Sequence, residues 1–453
     1  MRTALLLVAC LNAPAAVLAY GDRKLVQPNL AILATAASST TSNSSSCSSA
    51  LLYEPVAPSE DPWYTAPYEF ENEKPGTILR VRPAPGNLTL LAGNASAAYN
   101  ILYRTTNSLY KPTWAVTTLF IPKKASSASN SSTTNGALLS YQIAYDSNYI
   151  NASPSYALYS SLDQDISTAL GKGYYVSVPD YEGPLASFTA GVLSGHATLD
   201  SLRAILSTAG KPRFGLPANN SIALWGYSGG ALASEWAAEL QVQYAPELNI
   251  SGIAVGGLTP NVTSVLFSIN GGVGAGIAPP AILGITNQFP DVYEYVLSLL
   301  KSEGTNNKTG FLAAQNYTLN QDIGAFLGKN ISDYFEGGLS AVLSPLAQKV
   351  IHSDGIMGYH GIPQVPIYAY KAIKDELSPV NDTDTLVARY CAVGANILYE
   401  RSSIGGHTSG AINGRASATA FVDAIFGGTY AATYNTTGCT IREVAWNESS
   451  LSF

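Results

Sequence analysis

A serine between glycines, a histidine on a glycine-rich loop and an aspartate before that histidine are residue types that suit nucleophilic acyl transfer. The serine is Ser228, in Gly226-Tyr-Ser-Gly-Gly230. This matches G-x-S-x-G, in which a sharp strand-to-helix turn lifts the hydroxyl clear of a sheet. The glycines on either side let neighbouring backbone pass without Cβ clashes. Residues 221–225 (SIALW) read as a short apolar strand, and residues 231–244 as a helix of good formers. The start of that helix directs free N–H groups and its positive dipole end to where an oxyanion would form. The five residues alone would also describe a Gly-rich turn; the strand before and the helix after argue for a nucleophile.

A serine hydroxyl needs a base within hydrogen-bond reach and an acid that orients the base. In an α/β-hydrolase the chain order is Ser, acid, His. The chain has four histidines. His196 precedes Ser228 in a helical pattern and reads as structural. His352 and His360 precede any convincing strand-end acid. His407, in Ile404-Gly-Gly-His407-Thr-Ser-Gly410, follows a strand and precedes a helix, the position of a base rather than of an idle loop histidine. Asp375 follows the strand at 365–370 and leads as the acid, with Glu376 second. One of these neighbours should face the histidine and the other solvent. Asp382 and Asp384 lie in what reads as an Asx-type helix start and a sequon. The oxyanion needs the N–H of Gly229 and a second donor after an early strand, where Ala144-Tyr-Asp146-Ser147 is well placed. A carboxylate there would repel an oxyanion. Either the Asp146 backbone N–H donates, or burial keeps its carboxyl protonated.

The elements that must position these groups are short apolar strands separated by helices. Strands are expected at 114–121, 137–143, 174–178, 222–225, 250–255, 367–370 and 397–400, with helices at 161–171, 191–206 and 417–426. Such alternation implies a mostly parallel sheet covered by helices on both faces. Residues 248–290 carry no charge but are broken by glycine and proline, unlike the about twenty unbroken apolar residues of a membrane span. They begin a helix-rich insertion to about residue 363. Next to a nucleophile, this suggests a cap over an apolar binding channel, the alternative being an ordinary helical subdomain.

Of the 453 residues, 12 % are charged and 46 % hydrophobic, and the net charge of −7 leaves no basic surface for nucleic acid or anionic lipid. Residues 1–19 read as a signal peptide, and about fourteen Asn-x-Ser/Thr sequons agree with secretion. Residues 20–50 read as a Ser/Thr-rich leader and 125–134 as a polar low-complexity loop. The expected division is a core of 51–257 and 364–453 with a cap of 258–363. Cys10 leaves with the signal peptide, Cys391 and Cys439 are expected to pair, and Cys47 is left odd. No metal, nucleotide or redox cofactor is indicated.

These motifs together resemble the secreted fungal lipases of the lipase A type. The resemblance spans much of residues 75–440. It runs through Ser140-Tyr-Gln-Ile143 with Asp146, Gly173-Tyr-Tyr-Val176 with Asp180 and Glu182-Gly183, and the Ser228 motif. It continues through 244–250, Asn270-Gly-Gly272, Asp375-Glu376, Cys391 with Gly394-Ala-Asn396, and His407. It implies an α/β-hydrolase core with an inserted, mainly helical cap or lid, acting on triacylglycerols or other long-chain esters. It gives Ser228, Asp375 and His407 the triad roles, and Gly229 and Asp146 the oxyanion role. The family can carry a second disulfide from the loop after the oxyanion strand to the cap. Residues 256–390 contain no cysteine, so the cap should be tethered by packing alone. Tyr181 stands where the family can have histidine. The leading expectation is a secreted, monomeric hydrolase of lipid esters at a lipid–water interface. The alternatives are an esterase for short-chain, acetylated-polysaccharide or aromatic-acid esters, a non-catalytic binder, and a peptidase of the same fold.

Overall fold

The structure, a computed structural model, describes residues 54–123 and 136–446. The expected signal peptide, the leader with Cys47, and the loop at 125–134 lie outside the described residues. The described strands are β1 (Ile78–Pro83), β2 (Ala95–Thr106), β3 (Pro112–Pro122), β4 (Gly136–Gln142) and β5 (Tyr175–Pro179). They continue with β6 (Asn220–Tyr227), β7 (Ile250–Gly256), β8 (Ile367–Ala372), β9 (Ile397–Ser402) and β10 (Cys439–Val444). They form one sheet in the order β1-β2-β3-β5-β4-β6-β7-β8-β9-β10. Strands β1 to β3 are antiparallel, as is the β3–β5 pair. From β5 to β10 every pair is parallel.

The expected strands fall in β3 to β9. Strands β1, β2 and β10 were not among them. Strand β1 alternates in Arg80 and Arg82 and β10 is an exposed edge, so neither carries a run of apolar residues. Strand β6 shows why the central strands read clearly. Ile222 and Leu224 enter one core with Trp236 and Leu240 of the helix Gly229–Tyr244. Ala223 and Trp225 enter the other with Phe421 and Val422 of the helix Arg415–Phe426. With both faces covered, the run from Ile222 to Trp225 is apolar on both sides, and burying each large aliphatic side chain contributes about 1.5–3 kcal/mol. The Cys391–Cys439 disulfide ties the edge strand β10 to the helix Val380–Ala392.

Between β7 and β8 the chain is helical apart from two isolated bridges. Phe311, Phe326, Tyr334 and Phe335 centre a separate apolar core there. The two ends of the insertion meet, with the Val262 N–H donating to Gly355 O and the Met357 N–H to Pro260 O. The expectation of attachment by packing alone is corrected. Gln288 Nε2 donates to Ser187 Oγ and Thr189 Oγ1 to the Ala281 carbonyl. The Ser147 hydroxyl donates to Tyr317 O, and Asp354 Oδ1 accepts from the Val192 N–H. Polar side chains do here what a disulfide can do elsewhere, because the facing backbones leave N–H and C=O groups that burial requires to be paired.

Candidate active site

The turn between β6 and its helix is tight. A Cβ on Gly226 would lie 2.2 Å from the Gly230 carbonyl oxygen, so only glycine fits there. Ser228 itself takes φ 54°, a left-handed backbone that costs a side-chain-bearing residue about 1–3 kcal/mol. Its N–H donates to Gly256 O at 2.9 Å, which anchors the strained residue to β7. The strain leaves Oγ at the head of the helix, facing His407.

His407 Nε2 lies 2.8 Å from Ser228 Oγ, and Nδ1 lies 2.8 Å from Asp375 Oδ2. The structure thus brings together three residues from the ends of β6, β8 and β9. Asp375 Oδ1 accepts from the Leu377 and Ser378 N–H groups, which fixes the carboxylate plane. Its Oδ2 is also 3.0 Å from Lys371 Nζ, both side chains being fully buried. Burial alone would raise the Asp375 pKa, but the His407 hydrogen bond and the Lys371 charge outweigh it and hold the carboxyl at about 2. Lys371 was missed from the sequence, although a lysine inside the apolar run of β8, four residues before an acid, marks a buried pair. Glu376 was expected to face solvent if Asp375 faced the histidine. It is exposed, yet its Oε2 accepts the His407 N–H at 2.8 Å. Consecutive turn residues do not alternate as strand residues do, so both carboxylates reach one loop.

Asp146 is buried at φ 42°, with Oδ1 lacking a hydrogen-bond partner among the described residues. That oxygen borders Gly229 so closely that a Cβ there would come within 1.9 Å of it. Burial raises the Asp146 carboxyl to about 7, opposed in part by a bond from its own N–H. The Gly229 N–H is among those a helix start leaves without an intrahelical acceptor. An N–H and a carboxyl thus converge beside Ser228 Oγ, an arrangement that can receive developing negative charge while the carboxyl is neutral.

Ser228, Gly229, Asp146 and His407 border a cavity whose other walls are mainly Phe188, Leu232, Val265, Ile269 and Leu377. A second cavity lies within the insertion, between Val292, Val296, Val342, Val350 and Ile351. The two share Thr189, Val262, Leu266 and Ala281 as wall, so aliphatic surface continues from the hydroxyl into the insertion.

The remaining histidines sit elsewhere. His196 is stacked on Tyr244 with centroids 3.8 Å apart, and burial lowers its pKa to about 3, so it is a neutral core residue. His352 is exposed on the helix Pro345–Asp354, and His360 packs on Trp236. Asp180 is engaged by Ser155 through its N–H and its hydroxyl. Tyr181 donates to Ile143 O, which ties that loop to the residue after β4. Among the described residues no group of three or more His, Cys, Asp and Glu side chains is placed to hold a metal ion.

A family model described as Secretory lipase matches residues 160–433. The chain belongs to the secretory lipase family. Among its relatives in that family, the trichothecene C-3 esterase of Fusarium sporotrichioides is 48 % identical over 406 residues, covering 88 % of this chain and 90 % of that protein. Lipase A of Arthroderma benhamiae is 36 % identical over 380 residues, covering 80 % and 78 %. The crystal structure of Candida antarctica lipase A superposes with a TM-score of 0.75 at 29 % identity, covering 86 % of this chain and 90 % of that one. This secretory lipase is therefore an ester hydrolase with the α/β-hydrolase fold of its relatives. No helix among its described residues is long and apolar enough to cross a membrane.

Proposed function

We propose that this chain hydrolyses long-chain lipid esters, triacylglycerols among them, through an acyl-enzyme on Ser228. His407 Nε2 takes the Ser228 proton as Oγ attacks the ester carbonyl carbon. Asp375 holds the ring by Nδ1–H and stabilises the imidazolium. The tetrahedral oxyanion lies between the Gly229 N–H and the Asp146 carboxyl O–H. The Asp146 N–H is turned to its own carboxyl, which favours the side chain over the backbone as donor. Collapse returns the proton from His407 to the leaving alcohol. Water, activated by the same histidine, then releases the acid and regenerates Ser228.

The observation that carries the long-chain reading is the aliphatic wall leading from Ser228 into the insertion. Both cavities are walled mainly by aliphatic side chains, and an alkyl chain is the occupant whose burial such walls favour. On this reading residues 258–363 are the cap and 51–257 with 364–453 the core. Phe267, Val273 and Leu327 stand exposed on the insertion, which suits a secreted monomer that works against a lipid–water interface. A second reading, esters of a trichothecene-like alcohol, is favoured by the relative at 48 % identity. The test is hydrolysis of p-nitrophenyl esters from acetate to palmitate by the wild type and by Ala281→Trp. The account predicts a long-chain optimum that falls to short chains in the variant, by about tenfold or more for palmitate, since a tryptophan in the wall common to both cavities takes up the space an alkyl chain would use. A wild-type profile peaking at acetate would favour the second reading.

A further inference from the structure

His407 follows two glycines, and Gly405 takes φ 85°. The helix that starts at His407 ends at Asn413, too short to be rigid alone. Local sequence therefore does little to hold the imidazole in place. Both peptide groups of His407 are nevertheless fixed from outside. Its N–H donates to Glu376 Oε2 at 2.8 Å, and its carbonyl accepts from the Tyr227 hydroxyl at 2.5 Å. The two ring nitrogens are taken by Asp375 and Ser228. Two pairs of adjacent residues, 227–228 and 375–376, thus each supply one grip on the ring and one on the main chain.

We propose that Glu376 and Tyr227 are positioning residues that clamp the main chain of His407 and so keep its imidazole in line between Ser228 and Asp375. The proposal rests on the reading of His407 as the base. Glu376 is otherwise exposed, so burial does not compel its bond to the His407 N–H. Its own carbonyl accepts from the Ser268 hydroxyl of the insertion, which pins the residue that pins the base. The Tyr227 ring stands 5.3 Å from the His407 ring, and burial raises its hydroxyl pKa, so it stays a donor throughout the working range. The ionisable groups around His407 are Asp375 with Lys371 behind it, Glu376, Tyr227 and, across the cavity, Asp146. Of these, Glu376 adds negative charge on the main-chain side, which favours the imidazolium as it forms.

The test compares Glu376→Ala, Glu376→Gln and Tyr227→Phe with the wild type and Ser228→Ala on a soluble p-nitrophenyl ester from pH 4 to 9. Glu376→Ala is expected to lose about 10- to 100-fold in kcat with KM within about threefold, since misplacing a base costs turnover rather than binding. Tyr227→Phe is expected to lose about tenfold in the same manner. Glu376→Gln keeps an acceptor without its charge. It should lose only about threefold and move the acidic limb of kcat to lower pH by a few tenths of a unit. A purely structural residue would not move that limb, and the Gln variant decides alone should the Ala variant not fold. If the limb of Glu376→Gln and the kcat of Tyr227→Phe match the wild type while Ser228→Ala is inactive, the clamp is wrong and the triad reading stands. Full activity in Ser228→Ala would instead remove the triad reading.

Discussion

A serine hydroxyl ionises far above neutral pH, so the 2.8 Å approach of His407 Nε2 to Ser228 Oγ has meaning only if the ring presents a lone pair there. Asp375 secures this. Held at about 2, it is a carboxylate throughout the working range and keeps the ring proton on Nδ1. The stability it contributes is present above the ordinary carboxyl value of 3.8 and is lost only as pH falls through about 2. Asp146 behaves oppositely. Raised to about 7, its carboxyl is neutral in acid and ionises as pH rises through that value, and on the proposed mechanism the carboxylate would then repel the oxyanion. The wild type should therefore lose kcat on an alkaline limb near pH 7 that Asp146→Asn abolishes. Asp146→Ala should lose about 10²–10³ in kcat at acid pH, the usual effect of removing an oxyanion donor. A pH–kcat series on the three proteins checks this, and an unmoved alkaline limb in Asp146→Asn would contradict it.

The elements that carry these residues explain which were readable in advance. Ser228 and Gly229 were, because glycine spacing, a strand and a helix lie within one short stretch. The positions of His407 and of Asp375, with Glu376 as second candidate, were legible because each follows a buried parallel strand. Lys371 lies only four residues before Asp375 and its signal was local, whereas the second role of Glu376 depends on how β8 and β9 lie side by side, a relation between residues distant in sequence. The hydrogen bonds of the insertion to the core, from Gln288, Thr189, Ser147 and Asp354, are of the same long-range kind. At the sheet edge, β10 exposes much of its length, and the disulfide holds it across a separation of 48 residues. Replacing both cysteines by alanine should lower the unfolding free energy by about 2–4 kcal/mol, mainly by freeing that loop in the unfolded chain. Denaturant titration under non-reducing conditions measures it, and an unchanged midpoint would show that β10 needs no tether.

Across the molecule, buried carboxyls outnumber the charges available to pair with them. Burial raises Asp146, Asp180 and Asp354 to about 7 each, against the depressed and buried Asp375. A carboxyl raised in the folded state contributes stability that is complete below its ordinary value of 3.8 and is lost as pH climbs to the folded value. Thermal stability should thus be greatest near pH 4 and the melting temperature lower by about 5 °C or more at pH 8. Calorimetry across that range reads it directly, and a maximum at pH 8 would contradict it. The catalytic account is tested most directly by the intact mass of the protein after exposure to a long-chain alkyl fluorophosphonate. The account predicts one phosphonyl adduct, on the peptide containing Ser228, together with complete loss of esterase activity and no adduct on Ser228→Ala. Labelling at another residue, or full activity after Ser228 is labelled, would contradict it.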